Sequence, residues 1–268
     1  MGHRADIGLC SGSVGDVLAQ IAVIPSAPLS VPELAGPAAV DTEPMRAAVL
    51  AAGRALAAAA PRWVALGVAD SPGAPLQCAT TGDFGGYGVP VPVRLPHPAP
   101  AHAAPPPLSM LLAGWLGGQV RPQPESITPF IVDPASSPDE CRAAGAEAAS
   151  EAGCLGGSGD VGLLVIADGA TALSPGAPGG GERESAWVVQ RALDAAVAAG
   201  DAAGLAALSV AECADAGVGT RAAWQVLSGI LARRPAAEID VTYAAAPFGV
   251  GYTVATLFPA PPAPETRR

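Results

Sequence analysis

The stretch Val161-Gly-Leu-Leu-Val-Ile-Ala-Asp168-Gly-Ala-Thr171, followed by a Gly- and Pro-rich segment at 172–181, decides the fold. Its first half is a short, continuous apolar run, which is typical of a strand buried on both faces of a sheet. The glycines and prolines after Asp168 exclude both helix and strand. We therefore predict a central strand that delivers a carboxylate (Asp168) and a hydroxyl (Thr171) to its carboxyl end, where open α/β sheets bind ligands. The alternative is that Asp168 only caps the turn by accepting from backbone N–H groups.

The same pattern, an apolar run that ends at polar residues, occurs twice earlier in the chain. A short strand is predicted over 20–24 and leads into the proline-punctuated loop 25–34, and a second buried strand over 63–68 ends just before Asp70. Further strands are expected at 89–95, 127–132, 238–243 and 252–258, and helices are expected to begin at or near Thr42, Leu108, Ser137, Ser185, Asp201 and Thr220. Thr42 is expected to cap a helix with a buried stripe at Met45, Val49, Ala52 and Leu56. Ser137 and Glu140 predict a capping box, and Asp201 is expected to cap a helical turn through Leu208. Strands that alternate with helices predict an α/β protein, a single domain whose mainly parallel or mixed central sheet is flanked by helices.

Three segments are expected to lie outside this domain or to leave its surface. Residues 1–18 are predicted to be an N-terminal extension ahead of the α/β domain at 19–258, and residues 259–268 are predicted to be a tail. Prolines at the density found in residues 96–107 support neither a helix nor a central strand. We predict that this tract is an extended, mobile excursion that contributes little to the core.

The composition excludes several classes of function. A net charge of −10 argues against nucleic acid and anionic membrane surfaces as partners. The chain contains no lysine, which rules out a Schiff-base lysine and the lysine of a P-loop. Five cysteines without a C-x-x-C pair indicate neither a zinc knuckle nor a redox dithiol, and fit reduced thiols in the cytoplasm. No apolar run reaches about 18 residues without Gly, Pro or charge, so no transmembrane helix is expected.

Four loops, taken together, resemble one protein family. They are 25–34, the Asp168 loop through 179, Gly219-Thr220-Arg221 and Ala246–Tyr252. In this order, across residues 20–258, they are similar to loops of the catalytic B subunit of class III extradiol ring-cleavage dioxygenases (the LigB-like family). The similarity is greatest to its Memo-like relatives and to an Ala-rich, actinobacterial-type branch. The resemblance implies one α/β domain with the active site at the strand ends.

The chemistry of that family requires a non-haem Fe(II) held by two histidines and a carboxylate, with a further histidine as acid or base. By the resemblance, these positions fall on Ser26, Asp70, Thr171 and Ala245, so every imidazole is missing, whereas an aspartate of the family's third motif is kept as Asp168. A lone carboxylate with a hydroxyl is a poor site for iron. The resemblance therefore implies that the family's Fe(II) is not held and that this chain carries no cofactor.

Three hypotheses of function follow. The first is a metal-free, catalytically degenerate domain that acts as a small-molecule binding or interaction module. The second is an enzyme of altered chemistry, such as a hydrolase, that uses Ser26, Asp70, Asp168 and Thr171. The third is an iron dioxygenase that recruits His97 and His102 as substitute ligands. All three place Ser26, Asp70, Asp168, Thr171 and Ala245 in one cleft at the strand ends.

Overall fold

The computed structural model of the chain describes residues 18–36, 40–69, 78–100, 102–150 and 160–260. Within these ranges the strands are β1 Leu18–Ile24, β2 Arg62–Val68, β3 Thr81–Asp83, β4 Pro92–Arg94, β5 Ser126–Val132, β6 Val161–Ile166, β7 Ala236–Ala245 and β8 Tyr252–Pro259. The helices are α1 Pro32–Ala35, α2 Glu43–Ala59, α3 Leu108–Gln119, α4 Pro138–Ser150, α5 Glu184–Ala199, α6 Ala202–Ala206, α7 Val210–Ala216 and α8 Arg221–Arg233. Asp70 and nearly all of the predicted extension and tail lie outside the described residues.

Six strands form one central sheet in the order β5-β2-β6-β1-β8-β7. The pairs β5–β2, β2–β6 and β6–β1 are parallel, whereas β8 is antiparallel to both β1 and β7. The chain is therefore an α/β protein with a mixed, mainly parallel sheet flanked by helices, which confirms the predicted fold class.

The strand that decides the fold is buried on both faces, as its apolar run predicts. Leu163 and Val165 lie in the core under α4, α5 and α8, which we call the α5–α8 face. Leu164 and Ile166 lie in the core under α2 and α3, which we call the α2–α3 face. Because β6 is central and covered on both sides, the end of this strand is the point where loops from both layers meet.

The helix α2 shows both a confirmed prediction and a correction. Its predicted apolar stripe at Met45, Val49, Ala52 and Leu56 is buried. Thr42, however, does not cap the helix with its side chain. Its hydroxyl instead accepts a hydrogen bond of 2.8 Å from Nη2 of Arg46, one turn along.

Two serines cap helices on the α5–α8 face. At the start of α4, Oγ of Ser137 accepts from the N–H of Glu140 while the Glu140 carboxylate accepts from the N–H of Ser137, which confirms the predicted capping box. Ser209 caps α7 by accepting from the N–H of Glu212. The sequence reading extended one helical turn from Asp201 to Leu208, but α6 ends at Ala206 and α7 follows as a separate helix.

The region between β2 and α3 differs from the expectation. The strand predicted over 89–95 is shortened to β4, which pairs only with β3 in a separate two-stranded sheet, because the prolines in this stretch lack the N–H groups of a longer ladder. Most described residues of 96–107 are exposed, but Pro106 is buried. The carbonyl groups of Pro96 and Ala104 accept from the N–H groups of Ile127 and Ala79. Pro96, Ala104 and Pro106 thus attach the tract to the domain. The expectation that the tract contributes little to the core is wrong for Pro106, which is buried.

Among the described residues, no helix is both long enough and apolar enough to cross a membrane.

Candidate functional site

The carboxyl ends of β1 and β6 lie beside the start of β8 at one edge of the sheet. In the parallel pair, Ile24 lies opposite Ile166, and the N–H of Ala167 still bonds to the carbonyl of Ile24. In the antiparallel pair, Val23 lies opposite Ala255. If both pairings are extended by two or three residues past the end of β1, Ser26 lies between Asp168 on one side and Tyr252 on the other.

Four positions consequently form a row across this edge, in the order Asp168, Ser26, Tyr252 and Ala245. The last two are paired directly, at the start of β8 and the end of β7. Tyr252 packs in the core of the α2–α3 face, and a residue directly opposite on a neighbouring strand points to the same face. Three of the residues expected in one cleft, Ser26, Asp168 and Ala245, therefore share one edge of the sheet. Below, the strand-edge site means Ser26, Asp168, Tyr243 and Tyr252.

The carboxyl group of Asp168 is the chemical centre of the strand-edge site. Its Oδ1 accepts a hydrogen bond of 2.7 Å from the backbone N–H of Ser26. Burial raises the pKa of the Asp168 carboxyl from 3.8 to about 7, although the Ser26 N–H partly offsets this by favouring the charged form. The carboxyl is thus able to take up or release a proton near neutral pH.

The backbone of Asp168 is held from the opposite layer by the first turn of α8. The Thr220 hydroxyl accepts from the N–H of Asp168 at 2.9 Å and donates to its carbonyl oxygen at 2.7 Å. Nε1 of Trp224 donates to the same carbonyl at 2.9 Å. Both polar groups of the Asp168 backbone are therefore satisfied, and its side chain is left to face the α2–α3 side.

A second set of contacts fixes the loop after Asp168 against the loop before β8. The N–H of Gly169 donates to the carbonyl of Gly251, and the N–H of Gly251 donates to the carbonyl of Ala170. Oε1 of Gln190, from α5, accepts from the N–H of Ala170 at 2.8 Å. A Cβ atom on either Gly169 or Gly251 would meet the Gln190 amide, which would have to leave its hydrogen bonds to Ala170 and Asp194.

Thr171 is directed away from Asp168, towards the loop between α7 and α8. Its hydroxyl donates to the carbonyl oxygen of Gly217 at 3.3 Å, and its N–H donates to the carbonyl of Ala216. Of the candidate site residues, Ser26 and Asp168 are in contact, whereas the hydroxyl of Thr171 joins its loop to the loop between α7 and α8.

Two tyrosines complete the strand-edge site, and the sequence reading assigned no role to either. Burial raises the pKa of Tyr252, and the nearby charges of Asp168 and Tyr243 raise it further. Burial also raises the pKa of Tyr243. Both phenols therefore remain neutral hydrogen-bonding groups across the physiological range. Within the described part of the chain, neither tyrosine hydroxyl nor the hydroxyl of Ser26 has a hydrogen-bond partner.

The third hypothesis needs His97 and His102 near the strand-edge site, and the contacts of His97 show where it lies. Nδ1 of His97 donates to the carbonyl of Pro98, and its Nε2 lies 3.9 Å from Sγ of Cys78. The adjacent carbonyl of Pro96 bonds to Ile127, near the start of β5. Since β5 lies three strand positions from β1, this point is separated from β1 by about 14 Å across the sheet. His102 is exposed.

The described residues do not fit the Fe(II) centre of the family that the loops resemble. Ala245 has no side-chain ligand atom, the Thr171 hydroxyl donates to the carbonyl of Gly217, and the Asp168 carboxyl accepts from the Ser26 N–H. Residues 18–36, 40–69, 78–100, 102–150 and 160–260 contain no group of three or more His, Cys, Asp or Glu side chains placed to hold a metal. Asp70, the remaining carboxylate of the resemblance, lies outside these ranges.

Comparison with known proteins adds no further assignment: no family model matches the chain, and no curated protein matches it. What the structure defines by itself is a class of fold, an α/β domain with a six-stranded mixed sheet. The candidate site rests on the geometry of its own residues.

Proposed function

We propose that the strand-edge site binds a small, uncharged, hydroxyl-bearing molecule without a metal, and that the chain is a catalytically degenerate relative of the extradiol dioxygenases. One observation carries this proposal. The second carboxyl oxygen of Asp168 and the hydroxyls of Ser26 and Tyr252 have no hydrogen-bond partner among the described residues, and they lie beside an apolar core at the edge where the parallel strands end. Binding sites of this kind are largely apolar, with a few polar groups that orient the ligand.

The ligand class follows from the charge of the site. A carboxyl group with a pKa of about 7 both accepts and donates hydrogen bonds at neutral pH. A chain with a net charge of −10 does not favour an anionic ligand. A phenol or a catechol meets these requirements, because its ring suits the tyrosines and its hydroxyls suit the carboxyl.

Titration with catechol tests the proposal. Isothermal titration calorimetry measures the binding, since the chain's four tryptophans prevent a fluorescence signal from Trp224 alone. We expect saturable binding by the EDTA-treated protein, and a loss of about tenfold in affinity in Asp168→Asn, as for one hydrogen bond to a charged group. Asp240→Asn removes the same charge from an exposed residue on β7 and should bind catechol normally. Equal binding by all three proteins would reject the site.

An enzyme of altered chemistry is the alternative, and one observation favours it. The hydroxyl of Ser26 belongs to the residue whose N–H bonds to Asp168, and a carboxyl with a pKa of about 7 suits a general base. Thr171 would have no part in it, because its hydroxyl donates to Gly217. Hydrolysis of p-nitrophenyl acetate that is lost in Ser26→Ala would support this alternative over simple binding.

We also propose a cytoplasmic location and no nucleic-acid partner. The thiols of Cys78, Cys141 and Cys213 are free and buried, as expected for a reducing compartment. The net charge of −10 opposes binding to phosphate backbones.

A further inference from the structure

A groove unrelated to the strand-edge site lies between α5 and the α6–α7 pair. Its volume is about 860 Å³. Apolar side chains form most of its wall, and they include Val189, Ala192, Ala196 and Leu208. Val188 lines it as well and is 55% exposed, which is unusual for a valine in a helix that packs on a sheet. The groove therefore leaves an apolar helix face uncovered by the described residues.

The charged side chains that line this groove are all acidic, and the Arg183 guanidinium contacts its edge by donating to the backbone carbonyl of Asp215. The charged side chains that line it are Asp201, Glu212 and Asp215. Asp201 lies at the start of α6, where it caps the helix, and Asp215 lies near the start of α5, where its carboxylate accepts from the Ser185 hydroxyl. An apolar wall with an acidic rim favours an occupant that is apolar and basic. A second copy of a chain with a net charge of −10 is a poor match.

The chain itself leaves the sheet next to one end of the groove. The N–H of Ala260, directly after β8, donates to the carbonyl of Pro235 at 2.8 Å. The neighbouring Ala236 packs against the end of α5, since a Cβ atom on Gly200 would lie 3.5 Å from the Ala236 Cβ. Gly200 immediately precedes Asp201. Whatever follows Ala260 thus begins beside the Asp201 end of the groove.

The next eight residues match the groove in length, and they carry two arginines against one glutamate. Residues 261–268 read Pro-Pro-Ala-Pro-Glu-Thr-Arg-Arg and lie outside the described part of the chain. An extended, proline-rich segment of this length spans about 25 Å. The 16 residues of α5 form a helix about 24 Å long. Prolines come first in the segment and arginines last, so an extended path along α5 would bring the arginines to the Asp215 end.

We propose that residues 261–268 bind in this groove in cis, with the prolines against the apolar wall and with Arg267 and Arg268 beside Glu212 and Asp215. The proposal goes beyond the small-molecule site, because neither Ser26 nor Asp168 lines the groove. It assigns the exposed face of α5 to the chain's own following segment.

The reactivity of an engineered thiol in the groove tests the proposal in the full chain. Cys10 and Cys154 are changed to Ser, which leaves the buried Cys78, Cys141 and Cys213, and Val188→Cys provides the reporter. We expect N-ethylmaleimide, an uncharged reagent, to react with this thiol about fivefold faster after Arg267→Glu and Arg268→Glu than before, since undocking exposes it. Ala58→Cys, at an exposed position of α2, is the control and should react at the same rate in both backgrounds.

Two further comparisons decide between the possible occupants. Adding Glu212→Arg to the charge-reversed segment should restore protection of the thiol at position 188, because opposite charges again face each other. Protection that rises with protein concentration would show that the segment binds a second copy, and would overturn binding in cis. Equal reactivity of Val188→Cys with either version of the segment would overturn the proposal altogether.

Discussion

The backbone N–H of Ser26 donates a hydrogen bond of 2.7 Å to Oδ1 of Asp168, across 142 positions of sequence. It joins the ends of two adjacent parallel strands, β1 and β6. The bond holds a carboxyl group at the carboxyl edge of the sheet, where burial brings its pKa to about 7. The Ser26 N–H stabilises the charged form while burial disfavours it, so the protonation of Asp168 responds to changes around neutral pH.

The first prediction concerns the pH dependence of stability. The folded chain holds the Asp168 proton up to a pKa of about 7, whereas the ordinary value is 3.8, so the stabilising contribution of the protonated carboxyl is complete below 3.8 and is lost as pH rises towards 7. We expect the free energy of unfolding of the unmodified chain to fall, relative to Asp168→Asn, by about 1 kcal/mol per pH unit from pH 5 to 7. Urea denaturation at pH 5, 6, 7 and 8 measures this difference.

The matched control for this prediction is Asp240→Asn, which removes an exposed carboxylate from the edge strand β7. Its stability should follow that of the unmodified chain at every pH. A difference between unmodified chain and Asp168→Asn that stays constant from pH 5 to 8 would show that Asp168 titrates at its ordinary value.

The second prediction concerns the glycines that bring the two site loops together. In Gly251→Ala the new Cβ atom would displace the Gln190 amide, and we expect a loss of about 1–3 kcal/mol in stability because the buried N–H of Ala170 would lose its partner. Gly176→Ala is the control, because nothing lies within 4 Å of its added Cβ. Thermal unfolding of the two variants provides the comparison, and equal melting temperatures would contradict the described loop contact.

The third prediction concerns the anchor of the Asp168 backbone. Thr220→Val removes the hydroxyl that both accepts from and donates to the Asp168 backbone, and it leaves an N–H without that partner. We expect a cost of about 1–3 kcal/mol. Thr128→Val on β5 is the control, because it makes the same substitution at a threonine whose hydroxyl forms no hydrogen bond with the described residues. It should change stability by less than about 0.5 kcal/mol. Chemical denaturation distinguishes the two.

The fourth prediction concerns iron. The resemblance to the extradiol dioxygenases assigns the positions of their imidazoles to Ser26, Asp70 and Thr171, so the chain mixed anaerobically with Fe(II) should retain far less than one iron after gel filtration. Ser26 and Ala245 are separated in the row by Tyr252, two strand spacings or about 10 Å, which allows side chains from both to reach one ion. The triple variant Ser26→His, Asp70→His and Ala245→Glu should therefore retain more iron by elemental analysis.

The unmodified chain is its own critical test for iron. Stoichiometric iron that disappears on mutation of His97 or His102 would contradict the metal-free proposal and support an enzyme with substitute ligands. Iron retained by neither the unmodified chain nor the triple variant would show that the family positions have been assigned to the wrong residues.

Local patterns in the sequence were sufficient for much of the fold. The apolar run at Val161–Ile166 predicts a strand covered on both faces, and Ser137 with Glu140 predicts the start of α4. The same capping pattern, Ser209 followed by Glu212, was available for α7 and was missed. These features depend on neighbours within a few positions, which is why the sequence alone reveals them.

The geometry of the site depended on contacts between distant segments. Gln190 belongs to the buried side of α5 and reads as an interruption of an apolar stripe, yet it bonds to the N–H of Ala170 in another loop. Tyr252 reads only as the first residue of a strand, and its proximity to Asp168 follows from the register of β8 against β1. Thr171 was expected in the cleft because it follows Asp168 by three residues, but a hydrogen bond to Gly217 sets the direction of its hydroxyl.

The most direct test of the central claim is an NMR titration of the Asp168 side-chain carbon, with and without catechol, in the metal-free protein. The strand-edge site predicts that the Asp168 carboxyl of the free protein titrates with a pKa of about 7. Bound catechol should lower this pKa, because hydroxyls that donate to the carboxylate favour its charged form. A pKa near the ordinary value of 3.8, unchanged by catechol, would contradict both the buried carboxyl and its role as the ligand's partner.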